Sequence, residues 1–302
     1  LSPQVAVAEN SEIQPLAASA LLLHITHAGP RLIAVGDFGD LLLSDDDGKN
    51  WHQVVVPTRA LLVRVFFITA LEGWVVGHDA VILHTIDGGE HWELQHADPK
   101  GNTPLFDIHF SDSHHGLAIG AYGSCLRTVD GGVHWQQCMV NAEEDYHLNR
   151  LTVTSSGLFI TAEAGRIYRS LDLGRHWETI DSGYQGSLFG LLELTNHKLL
   201  AYGLRGHVLT STDGGTSWRP VIITVSATLM DAIQLPDGMI VISGTAGTLI
   251  VSTDQGKSFE VREQSNRAAI LALLALPDQQ LLMVGELGIT KTWPATTRVG
   301  SP

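Results

Sequence analysis

The sequence predicts an all-β fold, a seven-bladed β-propeller built from four-stranded antiparallel blades. Three observations carry this. A Ser/Thr-x-Asp-x-Gly-x-x-aromatic motif recurs six times in one phase. A Gly-x-x-Gly element, in places with Ala for Gly, runs in step ahead of it and recurs seven times. Between these markers the chain alternates apolar and polar residues in short β-branched runs with turn punctuation, and no stretch sustains a helical period. Four strands in a unit of about 42 residues is the pattern of a propeller blade. The length of 302 residues would by itself suggest about two domains. The repeat overrides that and makes residues 1–302 one domain.

The Asp motif reads Ser44-Asp46-Gly48-Trp51, Thr85-Asp87-Gly89-Trp92, Thr128-Asp130-Gly132-Trp135, Ser170-Asp172-Gly174-Trp177, Ser211-Asp213-Gly215-Trp218 and Ser252-Asp254-Gly256-Phe259. Its starts at 44, 85, 128, 170, 211 and 252 are 41, 43, 42, 41 and 41 residues apart. The glycine element reads Gly36/Gly39, Gly77/Ala80, Gly120/Gly123, Ala162/Gly165, Gly203/Gly206, Gly244/Gly247 and Gly285/Gly288. In the third unit the strands are expected at 106–110, 117–120, 125–129 and 135–139. The seventh unit keeps inner strands at 270–276, 281–285 and 289–293 but lacks the Asp motif after Thr290. Counting back from the first unit makes Ser11–Gln14 the outer strand of blade seven, which would close the ring and hide two sheet edges. Residues 1–8 and 295–302 are expected as tails.

The recurring Asp46, Asp87, Asp130, Asp172, Asp213 and Asp254 are expected to be structural. A carboxylate in a tight hairpin accepts backbone N–H bonds, the glycine allows positive φ, and the aromatic packs between sheets. A calcium loop needs more oxygen ligands close together. Among the 15 histidines, His91, His134 and His176 each precede a motif tryptophan and so repeat with the scaffold. No metal site is expected, because no metal-binding spacing is present. No cofactor and no catalytic residue is expected either: there is no nucleophile elbow and no phosphate loop. The adjacent acids Glu143, Glu144 and Asp145 are read as solvated decoration of a long blade connection rather than as a glycosidase pair. Cys125 and Cys138 fall opposite each other if Thr128 pairs with Trp135. They form either a cross-strand disulfide, which would imply an oxidising compartment, or two core thiols.

The 18 basic and 32 acidic residues give a formal charge of −14, which excludes nonspecific nucleic-acid binding. No apolar run reaches the roughly 18 residues of a membrane span. Function is expected on the face carrying the turns between second and third strands and the blade connections, because that face varies from blade to blade. Its candidates are His78, Tyr122, Glu163, Arg166, Arg205 and His207. A second set lies two residues after each first-strand leucine and reads Leu23, Arg64, Asp107, Arg150, Gly190, Asp231 and Ala272. Of these, Arg64, Asp107, Arg150 and Asp231 would form a polar ring at the mouth of the channel. Arg166 and Arg205 are expected close together, able to grip a carboxylate or phosphate.

The stretches Gly73-Trp74-Val75-Val76-Gly77-His78-Asp79 and Leu83-His84-Thr85-Ile86-Asp87-Gly88-Gly89 resemble the photosystem II stability and assembly factor propellers and their bacterial relatives. His147-Leu148-Asn149, Gly186-Ser187-Leu188-Phe189-Gly190 and Gly203-Leu204-Arg205-Gly206 look most like the non-photosynthetic bacterial branch. The resemblance runs from about Leu21 to Gly288. It implies an exported, seven-bladed, non-catalytic scaffold that binds a membrane-protein complex; the chain itself is expected to be a monomer. For the bacterial branch it implies a periplasmic accessory of an RND-type transporter; a photosynthetic member would work in the thylakoid lumen. Arg166 and Arg205 are the positions it would assign to partner binding. Sialidases share the Asp motif, so the alternatives are a glycan-acting hydrolase, with Tyr122 and Glu163 cast in two roles, or a carbohydrate-binding propeller without turnover. The arginine triad of a sialidase is missing from the sequence.

Overall fold

A computed structural model describes residues 9–101, 103–277 and 280–291. Seven antiparallel sheets follow one another along the chain. Their innermost strands are Leu22–Ala28, Leu62–Phe67, Leu105–Phe110, Leu148–Thr154, Leu188–Glu193, Leu229–Gln234 and Ile270–Ala275. Six sheets have four strands, and the seventh has three among the described residues. The third unit runs Leu105–Phe110, Gly116–Gly120, Cys125–Thr128 and Gln136–Gln137. Its outer strand is shorter than the expected 135–139: Trp135 falls in the hairpin loop, and Cys138 adds one further bond, its N–H donating to Cys125 O at 2.8 Å, outside the strand.

Each blade is built on one close approach and one bulge. The residue that opens every inner strand pairs with the first residue of the glycine element, as Leu62 does with Gly77 and Leu188 with Gly203. A Cβ at Gly77 would lie 2.2 Å from the Leu61 carbonyl oxygen, so only glycine lets the strands cross there. Directly after this pair every inner strand carries a bulge, for example between Leu148 and Arg150. The bulge turns the residue two places on toward the channel.

The middle strands are apolar on both faces, because each sheet is sandwiched between its neighbours. Gly73–Gly77, Leu199–Gly203 and Ile240–Gly244 are buried throughout. Trp74 is fully buried and stacks on Phe110 of the next blade at 3.5 Å between ring centroids. The hydrophobic core is therefore divided into wedges, each shared by two blades. The wedge between blades seven and one holds Ala272, Leu282 and Val284 against Ala17, Leu22 and Leu32.

Ring closure differs from expectation. Residues 11–14 form no strand and do not join blade seven. They run along the outer edge of blade one: Ser11 N–H donates to Val56 O at 2.9 Å, and Gln53 Nε2 donates to Glu12 O at 3.0 Å. The outer strand of blade one is only His52–Gln53, which leaves an edge for this segment to cover. The N-terminal segment still closes the toroid, one step later. The short 3-10 helix Ala17–Ser19 packs on the last described strand, Gly288–Lys291. Ala18 O sits 2.1 Å from where a Gly288 Cβ would be. This is the contact that Tyr184 O makes on Gly165 and Val225 O on Gly206 in the other blade connections. His27 Nε2 donates to Ala275 O across the same seam at 3.1 Å. The expected tails at 1–8 and 295–302, and the end of the 289–293 strand, lie outside the described residues.

Candidate functional site

The Asp motif folds each outer hairpin around one carboxylate. In blade three, Thr128 Oγ1 and His134 N–H donate to one oxygen of Asp130 at 2.8 and 2.9 Å, and His134 Nδ1 donates to the other at 2.7 Å. Gly132 N–H donates back to Thr128 Oγ1 at 2.9 Å. The same arrangement recurs at His91 with Asp87 and at His176 with Asp172. Ser217 and Ser258 take the histidine's place in blades five and six. The backbone N–H of His134, then its ring, holds the Asp130 carboxyl down to about 2. The repeating histidines are thus ligands of hairpin carboxylates. Among the described residues no group of three His, Cys, Asp or Glu side chains converges as a metal site.

Cys125 and Cys138 form a disulfide across the outer hairpin of blade three, with Cα atoms 5.0 Å apart. The flanking pairs are Leu126 with Gln137 and Arg127 with Gln136, the register that sets the cysteines opposite each other.

The channel ring is shifted by one residue in blade one. Leu22, not Leu21, pairs with Gly36, so the inward position is His24 rather than Leu23. The opening apolar pair Leu21-Leu22 concealed this in the sequence. Three members of the ring serve the same structural end. His24 Nδ1, Asp107 and Asp231 accept the N–H of Val65, Leu151 and Leu273, which lie just beyond the bulge of the following blade. Arg64 meets Asp107 at 3.1 Å, and Arg150 meets Asp231 at 3.2 Å. Arg150 reaches past blade five because Gly190 has no side chain; the Tyr202 hydroxyl fills that space. Burial, reinforced by the charges of Arg64 and Arg150, lowers His24 well below the usual imidazole value and keeps it a neutral acceptor. Asp107 and Asp231 are buried. The four charged residues expected at the channel mouth therefore pair with one another inside it.

On the variable face the third residue of the glycine element adopts a left-handed conformation in most blades. Phe38, Tyr122 and Arg205 do so with φ of 51°, 54° and 55°, at roughly 1 kcal/mol or more each for a non-glycine residue. The conformation throws their side chains outward; Tyr122 is 66% exposed. His78 is exposed beside Asp79 in the equivalent turn. Tyr122 meets the edge of His147 at 4.8 Å, and His147 N–H donates to Glu163 Oε2 at 2.9 Å. Tyr184 stacks on His207 at 4.2 Å, and its hydroxyl donates to Leu204 O at 2.8 Å.

The expected arginine pair is divided. Arg166 is held by Glu144 at 2.8 Å and Asp181 at 3.3 Å. Glu144 also accepts the Tyr168 hydroxyl at 2.8 Å, so it is a half-buried structural acid and not solvated decoration. Glu163, another candidate on this face, serves His147. Arg205 alone is exposed with no carboxylate partner among the described residues. Of the predicted set, His78, Tyr122, Arg205 and His207 share the open face; Glu163 and Arg166 stand behind it. Tyr184 and His147 were not anticipated. Both lie in blade connections, where no repeat register points to them.

The photosynthesis system II assembly factor YCF48 family model matches residues 43–105 and 98–222, together more than half of the chain. The photosystem II assembly protein Ycf48 of Thermosynechococcus vestitus is 35% identical over 65 residues, 20% of this chain and 19% of that protein. A Synechococcus Ycf48 is 43% identical over 47 residues, 15% of this chain and 14% of that protein. The matched stretches thus span less than a fifth of these relatives' own lengths. Among solved structures, YCF48 bound to a D1 peptide superposes with a TM-score of 0.73 at 22% identity, covering 95% of this chain and 96% of that one. YCF48 from Cyanidioschyzon merolae gives 0.73 at 15% identity, covering 93% and 98%. Virginiamycin B lyase from Staphylococcus aureus gives 0.78 at 12% identity, covering 94% and 97%, a likeness of fold alone. With the repeat, the seven blades and this match in agreement, the chain belongs to the photosynthesis system II assembly factor YCF48 family.

Proposed function

We propose that the chain is a non-catalytic docking scaffold that holds a segment of a membrane-protein complex on its variable face. The observation that carries this reading is the set formed by Tyr122, Tyr184, Arg205 and His207. Ring contacts hold Tyr122, Tyr184 and His207, and the turn directs Arg205 away from the blade; Tyr122, Arg205 and His207 stay exposed. Pre-ordered aromatic side chains lose little entropy on binding, and aromatic and arginine anchors dominate interface energies. A relative of the same fold is a YCF48 bound to a D1 peptide, which supports a peptide segment as the cargo here. The buried acid–arginine pairs of the channel offer a reacting group no open position, which favours binding over turnover. The Cys125–Cys138 disulfide supports work in an oxidising compartment, the periplasm for a bacterial chain. There the partner would be a membrane transporter of the RND type or a comparable assembly.

The test is affinity capture from solubilised membranes of the source cell with the tagged chain and its Tyr122→Ala/Arg205→Ala variant. The unaltered chain should retain a defined membrane complex. The variant should lose about thirtyfold in affinity, the scale of two interface anchors, with an unchanged melting temperature. Equal capture by both, or turnover of a fluorogenic sialoside that Tyr122→Phe abolishes, would replace this reading.

A further inference from the structure

The opposite face, which carries the Asp-motif hairpins, holds a cleft of about 450 Å³ between blades three and four. Its floor is Phe110, Leu117 and Leu158, and its walls rise to Val129, Val153 and Leu171. The hairpin tips differ from blade to blade. The residue before the motif aspartate is Asp45, Thr212 or Thr253 in blades one, five and six, but Ile86, Val129 and Leu171 in blades two to four. These three are 71%, 63% and 78% exposed. Such a run of solvated aliphatics on adjoining blades has no role in folding the hairpin, whose bonds come from the flanking Ser/Thr and Asp. Contiguous patches of this kind mark interaction surfaces.

The charges at the cleft are equally selective. At most blade junctions a side chain crosses to a backbone carbonyl of the next Asp hairpin. Arg31 reaches Gly88 O, Gln95 reaches Gly131 O, Arg169 reaches Gly214 O and Lys198 reaches Gly256 O. Arg127 does the same to Gly174 O at the cleft. Arg31 is neutralised by Asp45 and Glu90, and Arg169 by Glu178, each at 2.7 Å. The residue opposite Arg127 in the corresponding register is Gln136, where Arg169 has Glu178. Arg175, exposed on the cleft rim, likewise has no carboxylate partner among the described residues. The nearby Asp112, Asp130 and Asp172 are committed to N–H and imidazole donors of their own turns. In a chain of charge −14, the cleft thus keeps two cations uncompensated above an apolar floor.

We propose that this cleft docks an extended segment of a partner protein in which aliphatic side chains flank a carboxylate. The aliphatic tip on blade two continues the surface past the cleft, which suits a polypeptide better than a small acid. The site rests on the scaffold reading only in taking a protein as its ligand, and it lies on the other face of the toroid. The test is selection of a displayed random dodecapeptide library on the intact chain, with Val129→Glu/Leu171→Glu as counter-target. Peptides retained only by the unaltered chain should carry an aspartate, a glutamate or a free C-terminus beside two aliphatic residues. The best of them, synthesised and titrated by fluorescence anisotropy, should bind about tenfold more weakly to Arg175→Gln and more weakly as salt rises. It should bind undiminished to Tyr122→Ala/Arg205→Ala, which separates this site from the variable face. Retained sequences without an acid, no difference between target and counter-target, or full affinity for Arg175→Gln would each overturn the proposal. So would binding of decanoate in the cleft with every selected peptide failing to compete.

Discussion

At the scale of single residues, the inner ring shows how a buried polar group is justified. His24, Asp107 and Asp231 are where they are because each bulge leaves an N–H that must find an acceptor away from water. The arginines follow from the carboxylates, since a buried acid needs a counter-charge. This has a pH consequence. Burial lowers His24, and likewise His84, His96 and His109, below the usual 6.5. The unfolded chain therefore takes up protons that the folded chain refuses, and stability is full above pH 6.5 and falls as pH drops below it. A second loss begins near 3.8 and runs down to about 2, where the Asp46, Asp87 and Asp130 carboxylates protonate in the fold. Urea midpoints measured from pH 8 to pH 2 should show both declines. His24→Gln should flatten part of the first and leave the second, and an unchanged slope between pH 6.5 and 5 would refute the assignment.

At the scale of elements, the Asp hairpin and the glycine turn are local solutions that repeat because each is decided within about a dozen residues. That is why both were legible in the chain, down to the register that sets Cys125 opposite Cys138. The disulfide is a departure from the repeat that stiffens one outer hairpin only. It closes a loop of sequence separation 13, for which a stabilisation of about 3 kcal/mol is expected. The Cys125→Ser/Cys138→Ser variant should lose that amount in urea unfolding. Its extra hydrogen exchange should be confined to the outer strands of blade three. A loss spread evenly over all blades would show instead that the bond braces the whole ring. The aliphatic hairpin tips of blades two to four were equally plain in the sequence. What the sequence does not show is that the tips of blades three and four wall one cleft, because that depends on how neighbouring sheets splay.

At the scale of the whole molecule, the toroid depends on its seam. Blades seven and one share a core, and the N-terminal turn at Ala17–Ser19 seats on Gly288 as the other connections seat on their glycine turns. Deleting residues 1–19 removes Ala17 from that core and bares the turn. The melting temperature should fall by about 3 °C, the effect of roughly 2 kcal/mol in a domain of this size. An unchanged value would mean that sheet-to-sheet packing alone holds the ring.

The sequence by itself determined the blade count, the hairpin chemistry and the family, because these are written in residues close along the chain and repeated. Only the tertiary structure decided which edge residues 11–14 cover, that His24 completes the channel, and that Arg166 is bound by Glu144 while Arg205 stands open. Those outcomes depend on which side chains meet across blades, and a spacing along one strand carries no information about what faces it from the next.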